Sequence, residues 1–224
     1  WEDRDRLVMS KGHAAPAYYS VLAHRGYFPV EELKTLRKSD SRLQGHPNMR
    51  TVPGVDASTG SLGQGVSAAC GIAKELKRKG NPARVYCMTG DGESEEGQVW
   101  EAAMFASHYK LDNLTLFLDF NCLQIDGDIR RVLNPTPFDE KYKAFGWHTI
   151  VIDGHNFEEI EKAVAEAEQT KGMPTAIICR TIKGKGVSYM ENVADWHGKA
   201  PNEELYKIAK MCYNEILSKG IDIM

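Results

Sequence analysis

From Arg84 onward the chain alternates short, apolar, β-branched runs with longer segments of helical spacing, and few folds accept that order of elements. Val85–Thr89, Leu114–Phe120, Trp147–Asp153 and Thr175–Thr181 predict strands, while Glu96–Tyr109 and Phe157–Thr170 predict helices between them. Strands joined by helical crossovers pair in parallel, and a parallel sheet buries both faces under helices. The expectation is an α/β chain, a parallel sheet flanked by helices on both faces. No internal repeat or low-complexity linker interrupts it, so one continuous domain over residues 1–224 is expected.

The N-terminal part is helical in spacing. Ala14–Arg25 and Val30–Arg37 predict helices, the second with Pro29 at its start. An irregular stretch runs from Ser39 to Thr59. Leu62–Lys79 then sets Val66, Ala69, Cys70, Ala73 and Leu76 on one helical face, and Gly80 supplies a stop. Asn202–Leu217 closes the chain as an amphipathic helix with Leu205, Ile208, Ala209, Cys212 and Ile216 on one side. Trp1 stands where an initiator Met would, so residues upstream are expected.

The 28 basic and 31 acidic residues leave a net charge of −3 with no basic block, so nucleic acid and membrane surfaces are not expected partners. Apolar stretches such as Leu114–Phe120 are too short to cross a bilayer, and the first residues lack the apolar run of a signal peptide. A cytoplasmic protein is expected. Cys70, Cys87, Cys122, Cys179 and Cys212 form no C-x-x-C pair and read as reduced core residues. Cys122 lies beside a loop motif, but no activating base for a nucleophile is identifiable in the sequence.

In an open parallel sheet, ligands bind outside the carboxyl ends of the strands, which directs attention to the loops after Thr89 and Phe120. The first is Gly90-Asp91-Gly92-Glu93, a tight turn offering a hard oxygen ligand; the second, Asp119-Phe120-Asn121-Cys122-Leu123, offers an amide oxygen and a backbone carbonyl. Magnesium takes one or two such ligands and completes its octahedron with phosphate oxygens and water, so a diphosphate is the natural partner. A plain β-turn at Gly90–Gly92 and an Asx-turn at Asn121 are the structural alternatives. Neither G-x-x-x-x-G-K-[ST] nor G-x-G-x-x-G occurs, which argues against P-loop and ordinary dinucleotide binding, and H-E-x-x-H is absent too.

Gly90-Asp91-Gly92 followed by Asn121, 30 positions after Asp91, resembles the thiamine diphosphate motif. Together with Asp3-Arg-Asp-Arg-Leu-Val-Met-Ser-Lys-Gly-His13, Gly45-His46-Pro47, Thr59-Gly-Ser-Leu-Gly-Gln-Gly65 and Trp196-His197-Gly198, the chain resembles the N-terminal, diphosphate-binding domain of transketolase. The resemblance implies that Asp91, Asn121 and the Leu123 carbonyl hold Mg²⁺ or another divalent cation such as Ca²⁺ or Mn²⁺. It places His13 and His197 at the diphosphate and the reacting carbon, and His46 at the hydroxyls of the donor sugar. Gly60, Ser61 and Leu62 become backbone contacts to the cofactor rings, and Ile125 an aliphatic ring contact. Gly92, Glu93 and Lys183 join the cofactor contacts, and Glu96 a carboxylate network across a dimer interface. Read from residues alone, Thr59-Gly60 could be a helix N-cap, Ile125 core, Lys183 solvated, and Glu93 and Glu95 first-turn carboxylates favoured by the helix dipole. Surface or structural roles are left for His24, His108, His148 and His155.

The family's catalytic glutamate and pyrimidine cradle, which belong to a second domain, have no counterpart here. The resemblance therefore implies the N-terminal subunit of a split transketolase, completed by a C-terminal subunit carrying the pyrimidine-binding domain in an α₂β₂ assembly. Transfer of a two-carbon ketol unit between sugar phosphates follows. The alternatives are a 1-deoxyxylulose-5-phosphate synthase, which shares the Lys-Gly-Lys-Gly stretch, and a catalytically silent Mg²⁺-diphosphate scaffold.

Overall fold

The computed structural model describes residues 3–218; the remaining positions of the expected domain lie outside the described residues. Its elements run β1 (Arg6–Met9), α1 (Ala15–His24), α2 (Gln64–Arg78), β2 (Val85–Gly90), α3 (Gly97–His108), β3 (Leu114–Phe120), β4 (Leu123–Gln124), β5 (Gly127–Asp128), α4 (Ile129–Val132), α5 (Phe138–Ala144), β6 (His148–Asp153), α6 (Phe157–Gln169), β7 (Thr175–Arg180) and α7 (Glu203–Ser218). Five strands form one parallel sheet in the order β1-β2-β3-β7-β6, and β4 and β5 form a separate antiparallel hairpin.

Both faces of the sheet are covered because its strands are apolar on both. In β3, Leu114, Leu116 and Leu118 turn to one core and Phe117 to the other. Each of these leucines is fully buried, a burial that stabilises by roughly 1.5–3 kcal/mol per side chain. On the first face α2, α3 and α5 contribute Val66, Ala69, Ala73, Val99, Ala103 and Tyr142; the alanines let helix and sheet approach closely. On the second, α1 sets Tyr18, Tyr19 and Leu22 over Met9 and Met88, while α6 sets Ala163 and Ala167 over Ile152 and Ile177.

Several expectations change. Arg6–Met9, read only as part of a motif, is an edge strand paired with β2; four residues with one apolar face beside the chain start carry too little pattern. The expected helix at Val30–Arg37 is a 3₁₀ turn, Val30–Thr35, in which no residue is buried and after which Arg37 takes φ 61°. Leu33 and Leu36 pack against the core only at its margin, too little apolar face to sustain an α-helix there. The unforeseen α5 buries only Phe138 and Tyr142, one turn apart, behind a proline-rich entry. Cys70 and Cys87 are core residues, but Cys122, Cys179 and Cys212 are only partly buried. Among the described residues no helix is long and apolar enough to cross a membrane.

Candidate functional site

Strand register brings the two key loops together. Gly90 faces Asp119 across the β2–β3 ladder, and the Asp91 N–H donates to the Asp119 carbonyl at 3.2 Å. Asp91, Asn121 and Leu123 consequently line one cavity of about 270 Å³. Asp91 is buried, and its oxygens accept the N–H groups of Gly92 (2.8 Å) and Cys122 (2.6 Å). Asn121 Oδ1 accepts the Leu123 N–H at 3.0 Å. Burial pushes the Asp91 carboxyl up to about 6 in spite of these amide bonds. A neighbouring cation would reverse that shift. Among the described residues no three His, Cys, Asp or Glu side chains converge as metal ligands, so a cation here must use amide and carbonyl oxygens beside Asp91. That oxygen set suits Mg²⁺, Ca²⁺ or Mn²⁺.

Positive charge faces the same cavity. Lys11, just beyond β1, pairs with Asp119, to which the Thr181 hydroxyl also donates. Burial alone would raise the Asp119 carboxyl, but Lys11 and the bonds from Thr181 and Asn121 hold it below the usual carboxylate range. Lys183 lines the cavity as well; burial lowers its ammonium, with Asp119 in partial opposition. A half-buried ammonium of this kind accommodates an anion. Its segment is tied down by His155, whose Nε2 accepts the Ile182 N–H at 2.8 Å. Lys11 and Asp119 lie inside motifs visible in the sequence, but their pairing and this histidine bond had no signature there.

His13 and His197 meet across the cavity with ring centroids 5.0 Å apart. Partial burial, then His197, Lys11 and Lys183, lower the His13 imidazole to about 4. Burial and the same two lysines lower His197. Both rings are therefore neutral at pH 7, each with one N–H to donate. The His197 Nδ1 is buried without a hydrogen-bond partner among the described residues. An orphaned ring nitrogen, two ammonium groups and a hard-oxygen donor set fit a metal-bridged diphosphate.

The remaining expected residues differ in their distance from this centre. Leu62 lines the cavity; Gly60 and Ser61 precede it on a loop whose Thr59 hydroxyl donates to the Met9 carbonyl at 2.6 Å. Thr59-Gly60 is thus no helix cap: Gly63, at φ 80°, occupies the N-cap of α2. His46 is exposed, its ring against Gly60. Ile125 lines the cavity at 66% exposure, which excludes the core alternative. Gly92 and Glu93 border the cavity, and the Glu93 oxygens accept from the Ser10 hydroxyl and from the Gly63 and Gly90 N–H groups. Glu96 is exposed at the N-cap of α3 and lies outside the cavity lining. The Cys122 thiol is raised by burial and by the Asp91 charge, which counts against a nucleophile. A larger cavity of about 530 Å³ adjoins and shares Lys11, Asp119, Asn121 and Lys183, but Asp91 and both histidines of the facing pair are absent from its wall. Chemistry, not size, selects the smaller one.

The chain is similar to known proteins. The family model described as transketolase, thiamine diphosphate binding domain, matches residues 1–214. A 6-deoxy-6-sulfo-D-fructose transketolase subunit from Clostridium sp. (strain MSTE9) is 48% identical over 93% of this chain and 76% of that protein. Mus musculus transketolase is 46% identical over 96% of this chain but only 34% of its own length. Among solved structures, Campylobacter jejuni transketolase superposes with a TM-score of 0.88 at 38% identity, covering 94% of this chain and 34% of that one. A Pichia stipitis transketolase solved with sedoheptulose 7-phosphate gives 0.91 at 32% identity, over 96% and 33%. The chain thus spans about a third of such transketolases.

Proposed function

The chain belongs to the transketolase family, whose thiamine diphosphate-binding domain it matches, and from that premise we propose that it is the N-terminal part of an enzyme moving a two-carbon ketol unit from a ketose phosphate to an aldose phosphate. The observation that carries the reading is the meeting of Asp91 and Asn121 at adjacent strand ends, in one cavity with His13, His197, Lys11 and Lys183. Thiamine diphosphate, when bound, supplies the carbon centre that accepts and releases the ketol unit. Asp91, Asn121 and the Leu123 carbonyl hold the divalent cation. Lys183 and Lys11 offset phosphate charge, and the neutral His13 and His197 donate N–H groups to phosphate or substrate oxygen. Gly60, Ser61 and Leu62 present backbone to the cofactor rings, Ile125 packs on them, and His46 reaches sugar hydroxyls. Glu96, exposed in this chain, joins its counterpart network at a subunit interface.

A complementary subunit or domain carries the pyrimidine-binding half, in an assembly of α₂β₂ type. The coverage figures support this: the chain accounts for most of a relative named as a subunit, and for a third of a relative named simply transketolase. The same relative's name favours a second reading of the donor, a 6-sulfo ketose in place of a phosphate. Retention of His13, His46 and His197 speaks against a silent scaffold.

The test is to purify the protein with its candidate partner and assay ketol transfer from xylulose 5-phosphate, from 6-deoxy-6-sulfofructose and, for the synthase alternative, from pyruvate. Asp91→Ala is expected to weaken Mg²⁺-dependent thiamine diphosphate binding about tenfold or more, at least ~1.4 kcal/mol. Unchanged affinity by calorimetry would remove Asp91 from the cation site, and full turnover by the lone chain would remove the partner.

A further inference from the structure

Glu93 is an acidic side chain at 3% exposure, with no basic partner in hydrogen-bond contact among the described residues, and its environment explains how that is tolerated. Oε1 accepts the Ser10 hydroxyl at 2.5 Å and the Gly63 N–H at 2.9 Å; Oε2 accepts the Gly90 N–H at 3.1 Å. The donors come from three separate segments. Ser10 follows β1 and leads into Lys11 and His13; Gly63 follows Gly60-Ser61-Leu62 and caps α2; Gly90 ends β2 and leads into Asp91. Every segment held by this carboxylate therefore carries residues assigned above to the cofactor.

We infer that Glu93 is a positioning residue that clamps the roots of three cofactor-binding segments in register, without touching the cofactor itself. The inference rests on the thiamine diphosphate reading for the cofactor's identity, and on geometry for the clamp. A carboxylate suits the place because both its oxygens only accept, and all three facing groups donate. An amide of equal size offers one accepting oxygen and one NH₂, so it confronts at least one backbone N–H with another donor. An apolar side chain strands all three donors away from water. Ser10 is itself fully buried, and the Cβ that Gly65 lacks would fall 2.5 Å from its hydroxyl oxygen, so the junction has no room for a replacement water.

Glu93→Gln and Ser10→Ala, each in the full protein together with its complementing subunit, test the clamp by three readouts: amide hydrogen exchange at Gly63 and Gly90 without cofactor, calorimetric affinity for thiamine diphosphate with excess Mg²⁺, and Tm. For Glu93→Gln, exchange at the two glycines is expected to accelerate about tenfold more than at core amides such as Leu116. Cofactor Kd is expected to rise about tenfold, and kcat at saturating cofactor to stay within about threefold, because bound cofactor re-imposes the register. Ser10→Ala keeps both amides paired and is expected to raise Kd by about two- to fivefold. A lower Tm with unchanged Kd in Glu93→Gln would reduce Glu93 to an ordinary buried group and overturn the clamp. Should Glu93→Gln fail to fold, Ser10→Ala decides alone, and an unchanged Kd overturns it. A wild-type protein that binds no thiamine diphosphate sinks the cofactor reading, while the exchange comparison still judges the clamp.

Discussion

Gly12 offers the sharpest structural test of how the cofactor site is assembled. It lies between β1 and His13, and no side chain fits there. A Cβ would fall 2.8 Å from the Gly60 nitrogen and the Thr59 carbonyl carbon, and 2.9 Å from the Thr59 hydroxyl, where ordinary contact begins at 3.4 Å. Alanine must therefore drive two backbone segments apart by about 0.6 Å, an overpacking that costs roughly 1–3 kcal/mol. At this chain length each kcal/mol moves Tm by about 2–4 °C, so Gly12→Ala is expected to melt about 2–12 °C below wild type. The displaced segments carry His13 and Leu62, and thiamine diphosphate affinity is expected to fall about tenfold in the same variant. Adding Thr59→Ala removes one of the three close atoms but neither backbone contact, so it rescues only in part. Calorimetry finding Gly12→Ala equal to wild type in both melting and cofactor affinity would refute the close approach on which His13's position depends.

In the cofactor-free protein the His13 ring is expected to titrate near 4 by NMR, and magnesium pyrophosphate to move the midpoint upward; an ordinary midpoint without anion would contradict the crowding by Lys11, Lys183 and His197. Because this folded-state pKa is depressed, the unfolded chain binds the proton more readily, and His13 erodes stability as pH falls from about 6.5 towards 4. Lys11→Met leaves the partly buried Asp119 carboxylate without its cation, an expected loss of about 1–2 kcal/mol at pH 7 that Lys11→Met/Asp119→Asn largely restores; chemical denaturation showing additive losses would contradict the pairing. Tyr142→Phe removes a buried hydroxyl that has no partner among the described residues, so Tm is expected to hold or rise, and a loss above about 1 kcal/mol would reveal an unrecognised hydrogen bond.

What the sequence shows of this site follows the range over which its interactions act. The Gly90-Asp91-Gly92 turn and the Asx bond of Asn121 to the Leu123 N–H close within a few residues, so local composition carries them. Alternating strands and helices then place both loops at the carboxyl end of the sheet, and β2 and β3, successive in sequence, are also neighbours. The Lys11–Asp119 pair joins positions 108 apart, and Ser10–Glu93 joins positions 83 apart. Both depend on β1 lying beside β2, a pairing of an edge strand too short to announce itself. Glu93 illustrates the consequence. Its place in a helix-opening turn suggests a carboxylate drawn to a dipole, whereas the tertiary fold turns it inward to the Gly90 N–H of its own turn and to Ser10 and Gly63, from segments no local pattern connects to it. Groups that contact a ligand project from turns with recognisable chemistry; groups that aim those turns act through the packing between them. Lys11 and Glu93 belong to the second kind, and the register of β1 against β2 is what brings Lys11 to the cavity and Ser10 to Glu93.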